Sequence, residues 1–272
     1  MNGHIQKHYA ASDLGIRILE ALAKAGKDVD HLTPEDLAPI DEFHIRGRKA
    51  TLELAADVGL DVARYVLDIG SGVGGPSRAI VCEFGCQAVG IDLTGEYCRV
   101  AAMLAERTGL LHQVRYCQGN ALHLPFPDGS FDIVWTQHAA MNIPRKARLY
   151  GEMYRVLKPG GAVAIYDVLA GPAGEVIFPV LWARSPETSF LITPEELRQH
   201  LEASGFKISI WEDVTVEALA WFARVAQKIQ ERGLPPLGIH LLMGPEFEVM
   251  AQNQVRNLEE ERIVLAKVVG RK

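Results

Sequence analysis

Residues 66–75 read VLDIGSGVGG: an apolar run holding Asp68, then the glycines Gly70, Gly72 and Gly74 around Ser71, with Pro76 just beyond. Glycines at this spacing permit positive φ and bring the backbone close to a ligand, while a proline suits a first helical turn. The chemistry is that of a strand running into a helix whose N-terminus faces a nucleotide. The pattern Gly70-x-Gly72-x-x-Gly75 also satisfies the dinucleotide fingerprint, which is weak alone. Asp68 separates the readings: a carboxylate just before the turn sits poorly beside a pyrophosphate and well beside an ammonium group, such as that of S-adenosylmethionine.

Further polar residues follow apolar runs at regular intervals. Asp92 ends the run 87–91, Asn120 and Ala121 come shortly after 114–117, and Gln137 and His138 follow 131–135. Asp92 is placed to accept from two ribose hydroxyls. Asn120 would accept from an adenine amino group or serve as a turn residue, and Leu93 and Leu122 would sandwich the base or belong to the core.

Between these runs lie stretches with helical periodicity, predicted at about 97–108, 145–157 and 195–203, and the last strands are expected at 162–166, 207–211 and 263–269. Strands alternating with helices predict an α/β fold, a parallel sheet covered on both faces. Ligands then bind beyond the strands' carboxyl ends near the switch in strand order, where Asp68, Asp92, Asn120 and His138 converge. Residues 1–60 read as a helical N-terminal cover, with Leu14, Ile18, Leu19 and Leu22 on one face and a break at Thr33-Pro34. Residues 61–213 and 259–272 form the expected cofactor-binding core, 171–192 a lid segment and 214–258 a helical insertion over the substrate.

The chain has 272 residues and a net charge of −6, with no extended basic run. This argues against an electrostatic grip on nucleic acid and favours a small-molecule partner. No apolar run reaches the ~18 residues of a membrane span, and no signal peptide stands out, so a cytoplasmic location is expected. Cys82, Cys86, Cys98 and Cys117 lack metal-ligand spacing and read as free thiols; no metal is expected.

The glycine turn, 89–92, 119–121 with Leu124-Pro125-Phe126, 130–132 and Leu157-Lys158-Pro159-Gly160-Gly161 together resemble a class I S-adenosylmethionine-dependent methyltransferase over about 60–170. The resemblance implies a Rossmann-like seven-stranded, mostly parallel sheet with its last strand antiparallel, and S-adenosylmethionine held by Asp68, Gly70, Ser71, Gly72, Gly74, Asp92, Leu93, Asn120, Ala121, Leu122 and Gln137. Asn120 departs from the aspartate of many relatives. Methyl transfer is an in-line displacement with a neutral leaving group, so alignment carries much of the rate. A base is needed only for a protonated nucleophile, and His138 is the candidate, with substrate positioning or packing as its equal alternative.

The C-terminal half, around 178–183, 189–191 and 195–206, resembles the small-molecule group of sarcosine and dimethylglycine N-methyltransferases; quinone and tocopherol methyltransferases share the central motifs. The acceptor is therefore expected to be a small molecule, an amine in preference to a carbon or oxygen nucleophile. Tyr9, as in related enzymes, would lie over the cofactor. His44, Trp182, Phe190 and His240 are candidate substrate residues, Trp211 is a candidate for an aromatic pocket with Trp182 and Phe190, and Arg46, Arg184 and Arg256 are the available partners for a substrate carboxylate. Competing readings are an NAD-dependent oxidoreductase, a non-catalytic S-adenosylmethionine-binding module and an RNA methyltransferase.

Overall fold

The computed structural model describes residues 13–272; Tyr9 lies outside the described residues. Chain order is α1 (Leu14–Lys24), α2 (Pro34–Asp41), α3 (Arg48–Val58), β1 (Tyr65–Ile69), α4 (Gly75–Phe84), β2 (Gln87–Asp92), α5 (Gly95–Arg107) and β3 (Val114–Gln118). Then come β4 (Phe131–Gln137), α6 (Lys146–Val156), β5 (Leu157–Ala170), α7 (Pro194–Ala203), β6 (Lys207–Asp213), α8 (Thr215–Arg232), a short α9 (His240–Met243), α10 (Phe247–Glu259) and β7 (Ile263–Arg271).

The central strands are apolar along their length because helices cover both faces: Val66 to Ile69 are all buried in β1. Strand order is β3-β2-β1-β4-β5-β7-β6, parallel throughout except β7, which runs antiparallel to both β5 and β6. This is the class I methyltransferase sheet, and it departs from the 3-2-1-4-5-6 order of dinucleotide-binding domains. The direction of connection reverses between β1 and β4, opening a crevice above Asp68, which pairs with Gly90 on one side and Trp135 on the other.

One face of the sheet packs Trp135, Tyr166 and Ile80 with Leu54 of α3; the other packs Leu67, Val134 and Ile165 with Met153 of α6. The N-terminal helices form a third layer. Leu14, Ile18 and Leu22 are buried against Val100 and Leu104 of α5, with Leu19 half-buried at the margin.

Two local expectations are revised. Thr33-Pro34 starts a helix rather than merely breaking one: the Thr33 hydroxyl accepts from Asp36 N while the Asp36 carboxylate accepts from Thr33 N, a capping box. Thr193 and Glu196 repeat the device on α7. Strand β5 begins at Leu157, five residues early, because Leu157 pairs with Phe131 ahead of a register shift. The insertion and the lid segment hold each other: the Asn257 amide bonds both Ile177 N and Ile177 O at 2.8 and 2.9 Å, and Asn253 donates to Pro179 O at 2.9 Å.

Candidate functional site

A cleft of about 1240 Å³, counting its open mouth, runs across the carboxyl ends of β1, β2 and β4. At one end are Gly70, Gly72, Asp92, Leu93, Asn120, Ala121 and Leu122; His138 and Trp182 line it further along. Nine residues singled out in the sequence thus meet on one surface.

The glycine turn is shaped by left-handed backbone, with φ of 76° at Gly70 and 54° at Gly72. A Cβ on Gly70 would lie 2.3 Å from that of Ala139, so this glycine is demanded by the protein's own packing. At Gly72 a Cβ would meet only the Phe43 ring, at 3.5 Å; here the backbone faces the cleft. Gly74 is different. It caps α4, and a Cβ there would strike the Tyr116 hydroxyl, so the cofactor contact expected of it gives way to a structural role. Ser71 is buried behind the turn with its hydroxyl unpaired and does not reach the cleft lining.

Asp68 lies beneath the turn, 2% exposed, accepting from the Ser77 hydroxyl at 2.6 Å. Burial, reinforced by the nearby Asp92 carboxylate, pushes its pKa up to about 7. Such a carboxyl is poised to ionise when a cation arrives. Asp92 accepts from Gly72 N at 3.0 Å with one oxygen and from Thr94 N at 2.8 Å with the other, which locks the carboxylate across the turn and leaves one lone pair on each oxygen. Burial raises its pKa too. Asn120 forms the turn that sequence reasoning held as its alternative, its amide oxygen accepting from Leu122 N at 2.9 Å.

Gln137 is placed away from the cleft. Side chains alternate along β4, and Gln137 shares the Trp135 side, where its amide oxygen accepts from the Trp135 indole at 2.9 Å and from Thr51 at 3.3 Å. His44 is also buried beneath the cleft, bonded to Gly47 O at 2.9 Å and Thr51 at 3.0 Å; burial lowers its pKa to about 4. Phe190 contributes its N–H to Met141 O at 2.7 Å, and the His240 ring sits 5.9 Å from that of Phe247; neither lines the cleft. Trp211 lies under the Arg198 guanidinium on β6, away from the site.

His138 holds the left-handed region, φ 46°, with its ring stacked 5.3 Å from Tyr166. Burial, with His44 adjacent, drives its pKa well below 6.5. Nδ1 accepts from Ile45 N at 3.4 Å, which assigns the proton of the neutral ring to Nε2; Nε2 is buried and unpaired. In that tautomer the free nitrogen is a hydrogen-bond donor, which fits the positioning role held as the alternative to a base.

Sequence reasoning missed Phe43, Ile45, Tyr97, Met141, Asn142, Val168 and Gln254, all of which line the cleft. The readable signal was at Gln254, a polar residue in the apolar stripe that Met250 and Leu258 mark at helical spacing.

A family profile described as "Methyltransferase domain" matches residues 67–165. Sterol 24-C-methyltransferase ERG6B of Gibberella zeae is 39% identical over 116 residues, 43% of this chain; the match spans only 30% of the sterol enzyme. Sarcosine/dimethylglycine N-methyltransferase of Halorhodospira halochloris is 29% identical over 78% of this chain and 76% of its own. Among solved structures, the [4+2]-cyclase SpnF superposes with a TM-score of 0.68 at 25% identity, covering 90% of this chain and 99% of its own. Residues 67–165 thus match a methyltransferase domain and lie within a sheet of the class I methyltransferase fold.

Proposed function

We propose that this chain is an S-adenosylmethionine-dependent methyltransferase acting on a small-molecule acceptor. The observation that carries the reading is the buried Asp68 carboxyl beneath the glycine turn, with the locked Asp92 carboxylate at the next strand end. Two acids at this turn, with the neighbouring Arg78 guanidinium buried and paired with Asp41, suit an ammonium and a ribose, and oppose a pyrophosphate.

The residues fit the cofactor. Asp68 would hold its ammonium group, Asp92 its ribose hydroxyls, and the strip from Asn120 to Leu122, facing Leu93, its adenine. When bound, S-adenosylmethionine supplies a methyl group on a sulfonium, activated for displacement. The chain's own contribution is placement: the cleft aligns the acceptor in line with that methyl group and keeps water out, and orientation of this kind accounts for much of the rate. His138 supplies a neutral N–H donor to the acceptor side.

A preference for an amine finds no specific support in the lining. A free amino acid would bury its carboxylate without a cation, since among the described residues Arg46 is paired with Glu53 at 2.6 Å, Arg184 with Glu246 at 2.5 Å and Arg256 with Glu260 at 2.6 Å, and none of the three lines the cleft. A second reading comes from the likeness to SpnF across 99% of that chain, namely cyclisation of an apolar substrate in the same cleft.

Calorimetry with S-adenosylmethionine and NAD, followed by transfer of labelled methyl into a metabolite extract, tests the proposal. Binding of S-adenosylmethionine with labelling of a small molecule is expected. Binding of NAD alone would overturn it; cofactor binding with no methyl transfer would favour cyclisation or a non-catalytic module.

A further inference from the structure

Beyond the cofactor end, the cleft becomes a chamber walled by Met141, Val168, Leu181, Trp182 and Met243, with Gln254 of α10 among them. Gln254 is 1% exposed, and neither its amide nitrogen nor its amide oxygen has a hydrogen-bond partner. Its neighbours on α10 are not left so: the Asn253 and Asn257 amides are bonded to the backbone of residues 177–179. An unpaired buried amide is costly, and native interiors rarely keep one without a partner that arrives later.

We infer that Gln254 is the polar anchor of the acceptor chamber, and that the acceptor is a neutral, mostly hydrocarbon molecule carrying a hydroxyl group. This rests on the methyltransferase reading of the same cleft. The logic is one of matching: an amide offers donors on nitrogen and an acceptor on oxygen, and a hydroxyl answers both. A carboxylate only accepts, an ammonium only donates, and a hydrocarbon does neither, so each leaves part of the amide unpaired. A charged ligand would also lose its hydration among walls whose polar groups, Gln254, Asn142 and the neutral His138, hold no counter-charge. The inference concerns recognition, whichever atom receives the methyl group.

The full chain is first titrated with S-adenosylhomocysteine, then, saturated with it, with two probe sets: 1-naphthol, naphthalene and 1-naphthoate; geraniol, its methyl ether and geranate. The hydroxyl compound is expected to bind on the order of tenfold more tightly than its counterparts in at least one set. Gln254→Leu should abolish that preference while leaving the melting temperature unchanged or raised, because it removes an unpaired amide from apolar surroundings. A glutamine with a merely structural job would instead lose stability on substitution. Equal or tighter binding of the parent compound or carboxylate in both sets overturns the inference, as does no binding by any probe or a preference that survives in Gln254→Leu. Failure of S-adenosylhomocysteine to bind removes the underlying reading and the inference with it; its binding with failed probes removes the inference alone.

Discussion

Replacing Asp68 by asparagine isolates the charge proposed to hold the cofactor's ammonium group. The variant keeps an oxygen for the Ser77 hydroxyl, 2.6 Å away in the wild type, so the local structure survives. Truncating one member of a buried charge pair costs about 2–5 kcal/mol, so cofactor affinity at pH 7 should fall roughly thirtyfold or more. The wild type carries a further signature. With its carboxyl near pKa 7 in the free protein, binding an ammonium below that pH requires loss of a proton, and affinity should drop by about tenfold per pH unit. Over pH 5–7 the ammonium of the ligand stays charged, its own pKa being about 7.7–8.0. The two proteins should therefore converge as the pH falls, a protonated Asp68 resembling asparagine. Asp92 titrates in both, so their difference reports Asp68 together with its coupling to Asp92. The sign for folding is opposite: a carboxyl raised from 3.8 to about 7 loses stability as pH rises through that window, and Asp68→Asn should make the free protein more stable at pH 8. Calorimetry at pH 5, 6 and 7 with thermal melts reads all of this. A variant that binds as tightly as wild type at pH 7, or two curves that stay parallel down to pH 5, would refute the assignment.

Asp92→Ala should weaken cofactor binding more than about tenfold, because it removes the ribose acceptor together with the bonds to Gly72 N and Thr94 N; unchanged affinity in titration would exclude the ribose role. Both imidazoles beneath the cleft are held neutral, so kcat at saturating cofactor should be flat from pH 6 to 8. A limb near pH 6.5 that vanishes in His138→Asn would restore the general-base role. Asp41 and Arg78 form a buried pair at 2.6 Å that fastens α2 to α4. Asp41→Ala strands a guanidinium that cannot shed its charge and should cost about 3–5 kcal/mol in urea denaturation, whereas Arg78→Met should cost less because Asp41, already raised by burial, can take up a proton.

The centre of the sheet was legible because β1, β2 and β4 announce themselves twice, by an apolar run and by the acid, glycine or amide at its end. Asp68, Asp92 and Asn120 were found this way, at backbone positions that the fold fixes. Gln137 was misplaced for a reason equally local: it was taken as cleft-lining because it follows β4, yet the two-residue period ties it to Trp135, whose burial turns it away. The glycines carried a second message that spacing could not deliver. Gly70 and Gly74 exclude a Cβ because Ala139 and Tyr116 lie against them, and those partners come from other strands and loops. The capping boxes at Thr33 and Thr193 each lie within four residues and were readable in kind, though from sequence Thr33-Pro34 reads only as a break.

The acceptor end follows different rules. Its walls come from separated segments, including Met141, Trp182, Met243 and Gln254, brought together by the amide bonds that tie α10 to residues 177–179. No periodicity within one element predicts that meeting. The same separation limits what relatives can say. The methyltransferase profile stops at residue 165, so Trp182, Met243 and Gln254 lie outside the segment whose kinship it marks, and the sterol enzyme aligns over 116 residues only. Likeness in that segment speaks for the strand ends and the turn between Asp68 and Asp92. Under the proposed function, the acceptor would be selected by side chains outside that segment, where a sterol enzyme and a sarcosine enzyme are free to differ from this chain and from each other.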